Sequence, residues 1–370
     1  MFKTVSENCN LACDYCYYSR KKNSLNTVKH LQIEKLEKLI RDYMKNFEDV
    51  AIFIWQGGEP LLAGLDFFKK AISLESKYAP IDKSIINVVQ TNGTLINQRW
   101  AKFFKEYNFL VGISLDGTQK IHDARRTYSN GLGSFDDIMK GIKLLEIYGV
   151  DYNILSVIHK GNVQKFNEIM DFFEGNNLRW IQFLPAMKFN SHDSNTPAKY
   201  EVTSTEYGQF LCESFDRWYR EFIELGIPQF SIRFIDNVLS TYINENPNYC
   251  IINKECSGTL IVEQNGDVFP CDFFIEEQWK LGNISSNSLE NLIRSINYQK
   301  FKHLKPNLPN KCVSCKWKYK CYGGCPRNRK YVNNKIDVDY FCDAYIKFYE
   351  YTEERMKFLA NIIKREEKSV

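Results

Sequence analysis

The chain has 370 residues and a mass of 43.5 kDa, with 44% hydrophobic and 25% charged residues. At roughly 100–200 residues per domain that allows two or three domains, and the composition excludes a disordered chain. Lys plus Arg minus Asp plus Glu is 49 − 45 = +4, too small a balance to argue for nucleic acid as a partner.

Taken in chain order, strand-like and helix-like stretches alternate. His30–Phe47 carries a helical stripe of Leu31, Ile33, Leu36, Leu39, Ile40 and Met44. Ala51–Trp55 reads as a strand ending at Gln56-Gly57-Gly58-Glu59-Pro60, followed by a helix over Leu65–Ser73. Strands are expected again at Ile85–Val89, Leu110–Ser114, Tyr152–Ile158 and Trp180–Leu184, and a further one at Gln229–Phe234. Strands separated by helices favour right-handed βαβ units and a parallel sheet, hence a full or partial β/α barrel. The Gly-rich and polar signals fall at the C-terminal ends of these strands, where barrel enzymes place their sites.

After Asp236 the character changes. Ile251–Lys330 is rich in Cys, Gly, Asn and Pro. Thr259–Val262, Asn265-Gly266 and Val268–Phe269 predict a hairpin with a type I′ turn. Tyr345–Lys364 is periodic and predicts a helix. No apolar run reaches the roughly 18 residues that span a bilayer. Met1–Asn8 lacks the apolar stretch of a signal peptide, so a cytoplasmic protein without a membrane partner is expected.

Twelve cysteines are the unusual feature. In a long chain without secretion signals they point to metal or redox chemistry rather than disulfides. Cys9, Cys13 and Cys16 form a C-x3-C-x2-C group. Three close thiolates suit a [4Fe–4S] cluster whose last iron stays open to a substrate or cofactor. A zinc site completed by a distant His or Asp is the alternative, and the histidines (His30, His122, His159, His192, His303) form no ligand-like pair. The second group is Cys250, Cys256, Cys271, Cys312, Cys315, Cys321, Cys325 and Cys342, enough thiolates for two fully ligated four-iron clusters or for two zinc knuckles. Cys212 is left over in the helix-like stretch Tyr207–Phe222, where a buried small apolar role suits it. The basic run Arg327–Lys330 reads as a solvated face.

The cysteine spacing, with an aromatic residue before Cys16, resembles the signature of the radical S-adenosylmethionine (SAM) superfamily, and Gly57-Gly58-Glu59-Pro60 matches that superfamily's downstream motif. The later block resembles its SPASM domain. The resemblance narrows to the anaerobic sulfatase-maturating enzymes through Gln90-Thr91-Asn92-Gly93-Thr94-Leu95, Gly112-Ile113-Ser114-Leu115-Asp116-Gly117, Gln182-Phe183-Leu184-Pro185, Cys271-Asp272-Phe273-Phe274 and Cys321-Tyr322-Gly323-Gly324-Cys325-Pro326. It implies an α/β fold: a partial (β/α)6 radical SAM barrel over residues 1–235, a Cys-rich SPASM domain over 236–342 and a C-terminal helix over 343–370. Only eight residues precede Cys9, so either a trimmed start or an abbreviated first barrel strand is expected.

The resemblance implies SAM and three [4Fe–4S] clusters. Cys9, Cys13 and Cys16 would hold the SAM-binding one. Cys250, Cys256, Cys271 and Cys325 would hold the first auxiliary cluster, and Cys312, Cys315, Cys321 and Cys342 the second. Tyr15, Gly57, Gly58, Glu59, Ser114, Arg126 and Met187 would contact SAM, with the Arg126 guanidinium suited to its carboxylate. Gln56 and Tyr18 are candidates for peptide contact, and Asp272 for the catalytic base. The implied reaction is oxidation of a Cys or Ser in an unfolded sulfatase, within a Cys-x-Pro-x-Arg-type motif, to Cα-formylglycine. Flavodoxin or ferredoxin would be the electron donor. Two alternatives remain open at this point. One is a SPASM peptide maturase that installs a thioether or carbon crosslink. The other is a zinc-bound adaptor or nucleic-acid-binding protein.

Overall fold

The computed structural model describes residues 1–18, 30–45, 49–187, 198–256, 258–332 and 335–366. His192, the tail of the predicted first helix at 46–47 and the chain end at 367–370 lie outside them. The fold is α/β, with six strands hydrogen-bonded in chain order: β1 (Val50–Trp55), β2 (Ser84–Thr91), β3 (Leu110–Ser114), β4 (Tyr152–Ile158), β5 (Trp180–Pro185) and β6 (Ser231–Ile232). The β1–β2 pairing is parallel, running from Val50↔Ser84 to Trp55↔Val89. β2 and β3 are also parallel. Helix α1 (Ile33–Met44) precedes β1, and the intervening helices are α2 (Leu65–Tyr78), α3 (Gln98–Glu106), α4 (Gln119–Asp123), α5 (Phe135–Tyr148), α6 (Phe166–Gly175) and α7 (Ser204–Leu225). The strand expected over Gln229–Phe234 shrinks to two residues, because α8 (Arg233–Ser240) starts at Arg233 with Asp236 in its first turn. That carboxylate accepts a 2.5 Å hydrogen bond from Ser231 Oγ and favours the helix start.

The chain separates into two compact units. The first comprises Met1–Leu115, His122–Ile154 and Gly258–Phe301, and the second Asp116–Ile121, Leu155–Ser257 and Lys302–Val370.

In the first unit, alternation along β1 buries Ala51, Phe53 and Trp55 completely while Val50 and Ile52 remain exposed. Trp55 packs on Phe68 of α2 with ring centroids 5.3 Å apart, and Phe68 packs on Trp100 of α3 at the same distance. Within this aromatic layer Trp55 Nε1 donates to Asn87 Oδ1 at 2.7 Å, and Asn87 Nδ2 donates to Glu75 Oε2 at 2.7 Å. The expected first strand is present as a remnant. Phe2 bridges in parallel both to Trp55 and to Val262, donating to Ile54 O at 2.7 Å and accepting from Gln56 N at 3.1 Å. The hairpin of β7 (Ile261–Val262) and β8 (Asp267–Phe269) is present, with β9 (Gly282–Asn283) beside it. Its turn is not type I′. Asn265 has no positive φ, Gly266 N donates back to Glu263 O at 2.8 Å, and only Gly266 is left-handed, at φ 90°. An ordinary turn followed by a left-handed glycine bulge serves the same Asn-Gly pair.

In the second unit, α7 is started by a capping box in which Thr203 and Glu206 satisfy each other's backbone. It packs on the long terminal helix, to which the short helices α9 (Leu289–Ile293, in the first unit), α10 (Ile296–Leu304), α11 (Asn310–Val313) and α12 (Lys318–Cys321) and the hairpin β10 (Arg329–Val332) and β11 (Lys335–Asp339) lead. That helix, α13, spans Cys342–Glu366 and so begins at a cysteine. Gly208 lets α7 and α13 touch, since a Cβ there would stand 2.9 Å from Ala344 Cα. Cys212 is buried in α7, as expected.

Candidate active site

The three N-terminal cysteines sit in a loop between the Phe2 bridge and the described end of the segment at Tyr18. The loop is docked on residues 125–128: Ala12 N donates to Thr127 O at 2.7 Å, Leu11 bridges Tyr128, and Arg125 pairs with Asp14. This brings Tyr15 under the guanidinium of Arg126, 5.3 Å from its ring centroid. Arg126 is itself buried, and its carbonyl accepts a 2.8 Å hydrogen bond from Ser134 Oγ.

The Gly57-Gly58 turn lies against the residues just before Cys9. Glu59 N donates to Asn8 O at 2.8 Å. Gly58 has φ 51°, and a Cβ on it would stand 2.1 Å from Asn8 O, so only glycine fits. Glu59 is fully buried and its oxygens accept from Leu61 N (3.0 Å), Thr91 Oγ1 (2.7 Å) and Asn92 N (2.7 Å). It ties the motif after β1 to the end of β2. Burial pushes its carboxyl up to about 7 despite these donors.

Asn92, at the end of β2, is a residue whose role the motif alone did not reveal. Its Nδ2 donates to Cys9 Sγ at 3.7 Å and to Asn10 Oδ1 at 2.9 Å. Leu11 N also points at Cys9 Sγ, at 3.3 Å. Burial first, and the Glu59 charge second, push the Cys9 thiol up to about 12. Ser114, at the end of β3, accepts from Gln90 Nε2 at 3.2 Å.

Asp272 is buried in the same unit. Its Oδ2 accepts from the hydroxyls of Tyr17 and Tyr18 and from Gln56 Nε2, the last at 3.3 Å. Its Oδ1 is 2.9 Å from Lys3 Nζ. The two peptide-contact candidates, Gln56 and Tyr18, therefore converge on the candidate base. Tyr17 and Lys3 were not anticipated, and no local pattern marks them. Lys3 also pairs with Glu263 at 3.1 Å and lies 4.4 Å from the Tyr18 ring centroid. Burial, and then the Asp272 charge, raise both tyrosine hydroxyls well above their usual range, so they act as donors. Burial works against the Lys3 charge, yet Asp272 and Glu263 hold its ammonium above the ordinary value.

Cys271 belongs to the first unit, and the remaining seven later cysteines to the second. There, Cys312, Cys315, Cys321 and Cys342 line one cavity together with Trp317 and Asp339. Cys250, Cys256 and Cys325 form a separate neighbourhood: burial, and then Cys325, raise the thiols of Cys250 and Cys256, the latter to about 12. Met187 is also in this unit, buried just past β5. The run Arg327–Lys330 departs from the solvated face expected of it, because Arg329 is 2% exposed. Among the described residues no three Cys, His, Asp or Glu side chains stand ready-spaced for a metal ion. The donor set nonetheless fits iron–sulfur clusters. It comprises grouped thiols, amide donors aimed at Cys9 Sγ and a four-cysteine cavity, and metal loading displaces the thiol protons.

The fold and these sites match two families: the Radical SAM superfamily over residues 4–173, and SPASM, an iron-sulfur cluster-binding domain, over residues 250–316. The chain is a radical SAM iron–sulfur protein. It is 36% identical to a cysteine-type anaerobic sulfatase-maturating enzyme of Clostridium novyi, over 98% of this chain and 97% of that one. It is 35% identical to a serine-type anaerobic sulfatase-maturating enzyme of Bacteroides thetaiotaomicron, over 97% and 90%. The structure of native anSMEcpe with bound AdoMet and Cp18Cys peptide superimposes with a TM-score of 0.91 at 33% identity, over 97% of this chain and 98% of that one. The chain belongs to the anaerobic sulfatase-maturating enzymes, and its cofactors are SAM and [4Fe–4S] clusters. Among the described residues no helix is long and apolar enough to cross a membrane.

Proposed function

We propose that this chain oxidises a cysteine or serine of an unfolded sulfatase, in a Cys-x-Pro-x-Arg-type motif, to Cα-formylglycine. The observation that carries the reading is the Asp272 carboxylate, buried in the unit that holds the C-x3-C-x2-C loop and ringed by Tyr17, Tyr18, Gln56 and Lys3. When bound, SAM and the clusters supply a hydrogen-abstracting carbon radical and an electron sink.

The protein's own contribution is placement and proton transfer. Cys9, Cys13 and Cys16 hold the SAM-binding cluster. Tyr15, Gly57, Gly58, Glu59, Ser114, Arg126 and Met187 hold SAM, and Glu59 also keeps the glycine turn in shape. Arg126, already seated on Tyr15, offers a planar pair of donors to the SAM carboxylate. Asp272 accepts the thiol or hydroxyl proton of the substrate, with Tyr17, Tyr18 and Gln56 yielding hydrogen bonds as the side chain enters. Overall the substrate loses a hydrogen atom, a proton and an electron, and the thioaldehyde from a cysteine is hydrolysed to the aldehyde.

In this reading there are three clusters, the auxiliary two being held by Cys250, Cys256, Cys271 and Cys325 and by Cys312, Cys315, Cys321 and Cys342. The radical-generating domain spans residues 1–235, the auxiliary domain 236–342 and the terminal helix 343–370. A flavodoxin or ferredoxin supplies electrons in the cytoplasm, a compartment reducing enough to keep the thiols available.

The test is anaerobic incubation of reconstituted protein with SAM, a reductant and paired peptides carrying Cys or Ser in the motif. The expected product has the mass change of the side chain becoming an aldehyde, with 5′-deoxyadenosine formed alongside. A crosslinked peptide, or an unmodified one beside abundant 5′-deoxyadenosine, overturns the reading.

A further inference from the structure

Two cations are buried in the second unit without a carboxylate to neutralise them. Lys305 is 1% exposed, and its Nζ donates to Cys250 O (2.7 Å), Ile251 O (2.7 Å) and Gly324 O (2.9 Å). Three acceptors on one nitrogen require the three hydrogens of an ammonium. Arg329 donates to five carbonyls: Gly323, Leu304, Asn307, Lys305 and Tyr322. Neither forms an ion pair among the described residues. The buried carboxylate nearby, Asp339, uses its oxygens on Cys325 N (2.8 Å), Phe341 N (2.7 Å) and Asn328 Nδ2 (3.2 Å). Even counting it, one positive charge is left over on side chains that are only 1% and 2% exposed.

A buried charge is tolerated only when something compensates it. Several of the carbonyls these cations hold lie on or beside the later cysteines. Lys305 grips the carbonyl of Cys250 and that of Gly324, the residue before Cys325. Burial works against its charge, and thiolates at Cys325, Cys256, Cys250 and Cys321, in decreasing order, would favour it. Burial likewise works against the Arg329 charge, which a thiolate at Cys312, then Asp339, then thiolates at Cys325 and Cys256 would favour. A [4Fe–4S] core with two positive charges on four thiolates is a dianion, and its one-electron reduced form is a trianion. Lys305 and Arg329 carry the opposite sign, and cysteines of both sets are among their electrostatic partners.

We propose that Lys305 and Arg329 are the fixed counter-charge of the auxiliary clusters: positioning residues that stabilise the reduced state and so make the clusters competent to take the substrate's electron. This rests on the cluster reading above. Once the substrate thiol proton has gone to Asp272, the departing electron must settle on a group that is already negative. Two cations locked onto carbonyls, and unable to reorient as water does, lower that cost before the electron arrives.

The experiment uses the full chain with Cys9, Cys13 and Cys16 changed to Ala, so that only auxiliary clusters contribute. Iron and sulfide are counted, and the clusters are titrated potentiometrically with detection by electron paramagnetic resonance. Lys305→Met and Arg329→Met remove charge, whereas Arg329→Lys keeps it. The expected result is that each Met variant shows at least a tenfold lower reduced-to-oxidised ratio at a fixed potential, equivalent to a midpoint lowered by about 59 mV for one electron, while Arg329→Lys stays near the parent. Loss of iron from the Met variants but not from Arg329→Lys also supports the proposal. Unchanged midpoints in loaded Met variants overturn it, as does iron loss from all three, which marks the side chains as carbonyl ties only. A parent without auxiliary iron overturns the cluster reading itself, and this proposal with it.

Discussion

Lys3 Nζ stands 2.9 Å from Asp272 Oδ1, joining the first residues of the chain to the candidate base in its last third. The ammonium is buried, shared with Glu263 and stacked near the Tyr18 ring. Asp272 is thereby gripped from one side by a cation and from the other by Tyr17, Tyr18 and Gln56. A carboxylate held this way is oriented before the substrate arrives, which is what proton transfer at a fixed place needs.

Replacing the carboxylate should separate proton transfer from radical formation. Asp272→Asn keeps the side-chain shape and should keep iron content and SAM cleavage. Aldehyde formation should fall by about a hundredfold or more. Product mass spectrometry beside 5′-deoxyadenosine quantification checks this, and full aldehyde yield removes Asp272 from the role of base.

Lys3→Met should be costly in a different way. It leaves the buried Asp272 and the half-buried Glu263 without their cation, a loss of about 3–5 kcal/mol. The double variant Lys3→Met/Glu263→Gln removes one of the stranded charges and should recover part of that stability. Anaerobic denaturant unfolding of the single and double variants measures both quantities.

Much of this site is legible in the sequence because its signals are local. The C-x3-C-x2-C spacing, the Gly57-Gly58-Glu59-Pro60 turn and the β-branched runs of β2 to β4 each lie within a few residues. Lys3 is invisible for the opposite reason, since its partners come from a hairpin far along the chain. Tyr17 looks like any aromatic beside a cysteine until both hydroxyls are seen on one carboxylate oxygen. Arg329 sits in a basic run, and nothing local distinguishes a guanidinium that finds five carbonyls from one in water. The Asn265-Gly266 pair suits two hairpin turns, and the choice depends on strand twist and register.

Gly58→Ala tests the close approach that places the cluster loop. Its methyl group would collide with Asn8 O at 2.1 Å and Ser6 O at 2.8 Å, at a φ of 51°. The turn must move, at a cost of more than about 2 kcal/mol. The variant should lose iron at the N-terminal site and with it SAM cleavage, while auxiliary iron remains.

Glu75 provides a pH test away from any cluster ligand. Burial pushes its carboxyl up from 4.5 to about 7, with Asn87 Nδ2 as its hydrogen-bond donor. The folded chain therefore keeps a proton that the unfolded chain releases. Stability from this group is complete below the unfolded value and declines as pH rises toward 7. Relative to the parent, Glu75→Gln should gain about 2–3 kcal/mol between about pH 4.5 and about pH 7, and nothing further above that. Anaerobic unfolding across this range checks the slope, and a parallel pH dependence in the two proteins contradicts it.

The proposed oxidation requires that the SAM-derived radical take its hydrogen from the substrate's Cβ, the carbon that becomes the aldehyde. The most direct measurement is anaerobic turnover of a motif peptide deuterated at the cysteine Cβ, followed by mass analysis of the 5′-deoxyadenosine. Deuterium appearing in the 5′-deoxyadenosine together with an aldehyde peptide is the predicted result. Unlabelled 5′-deoxyadenosine, with the peptide recovered intact or crosslinked, would contradict it.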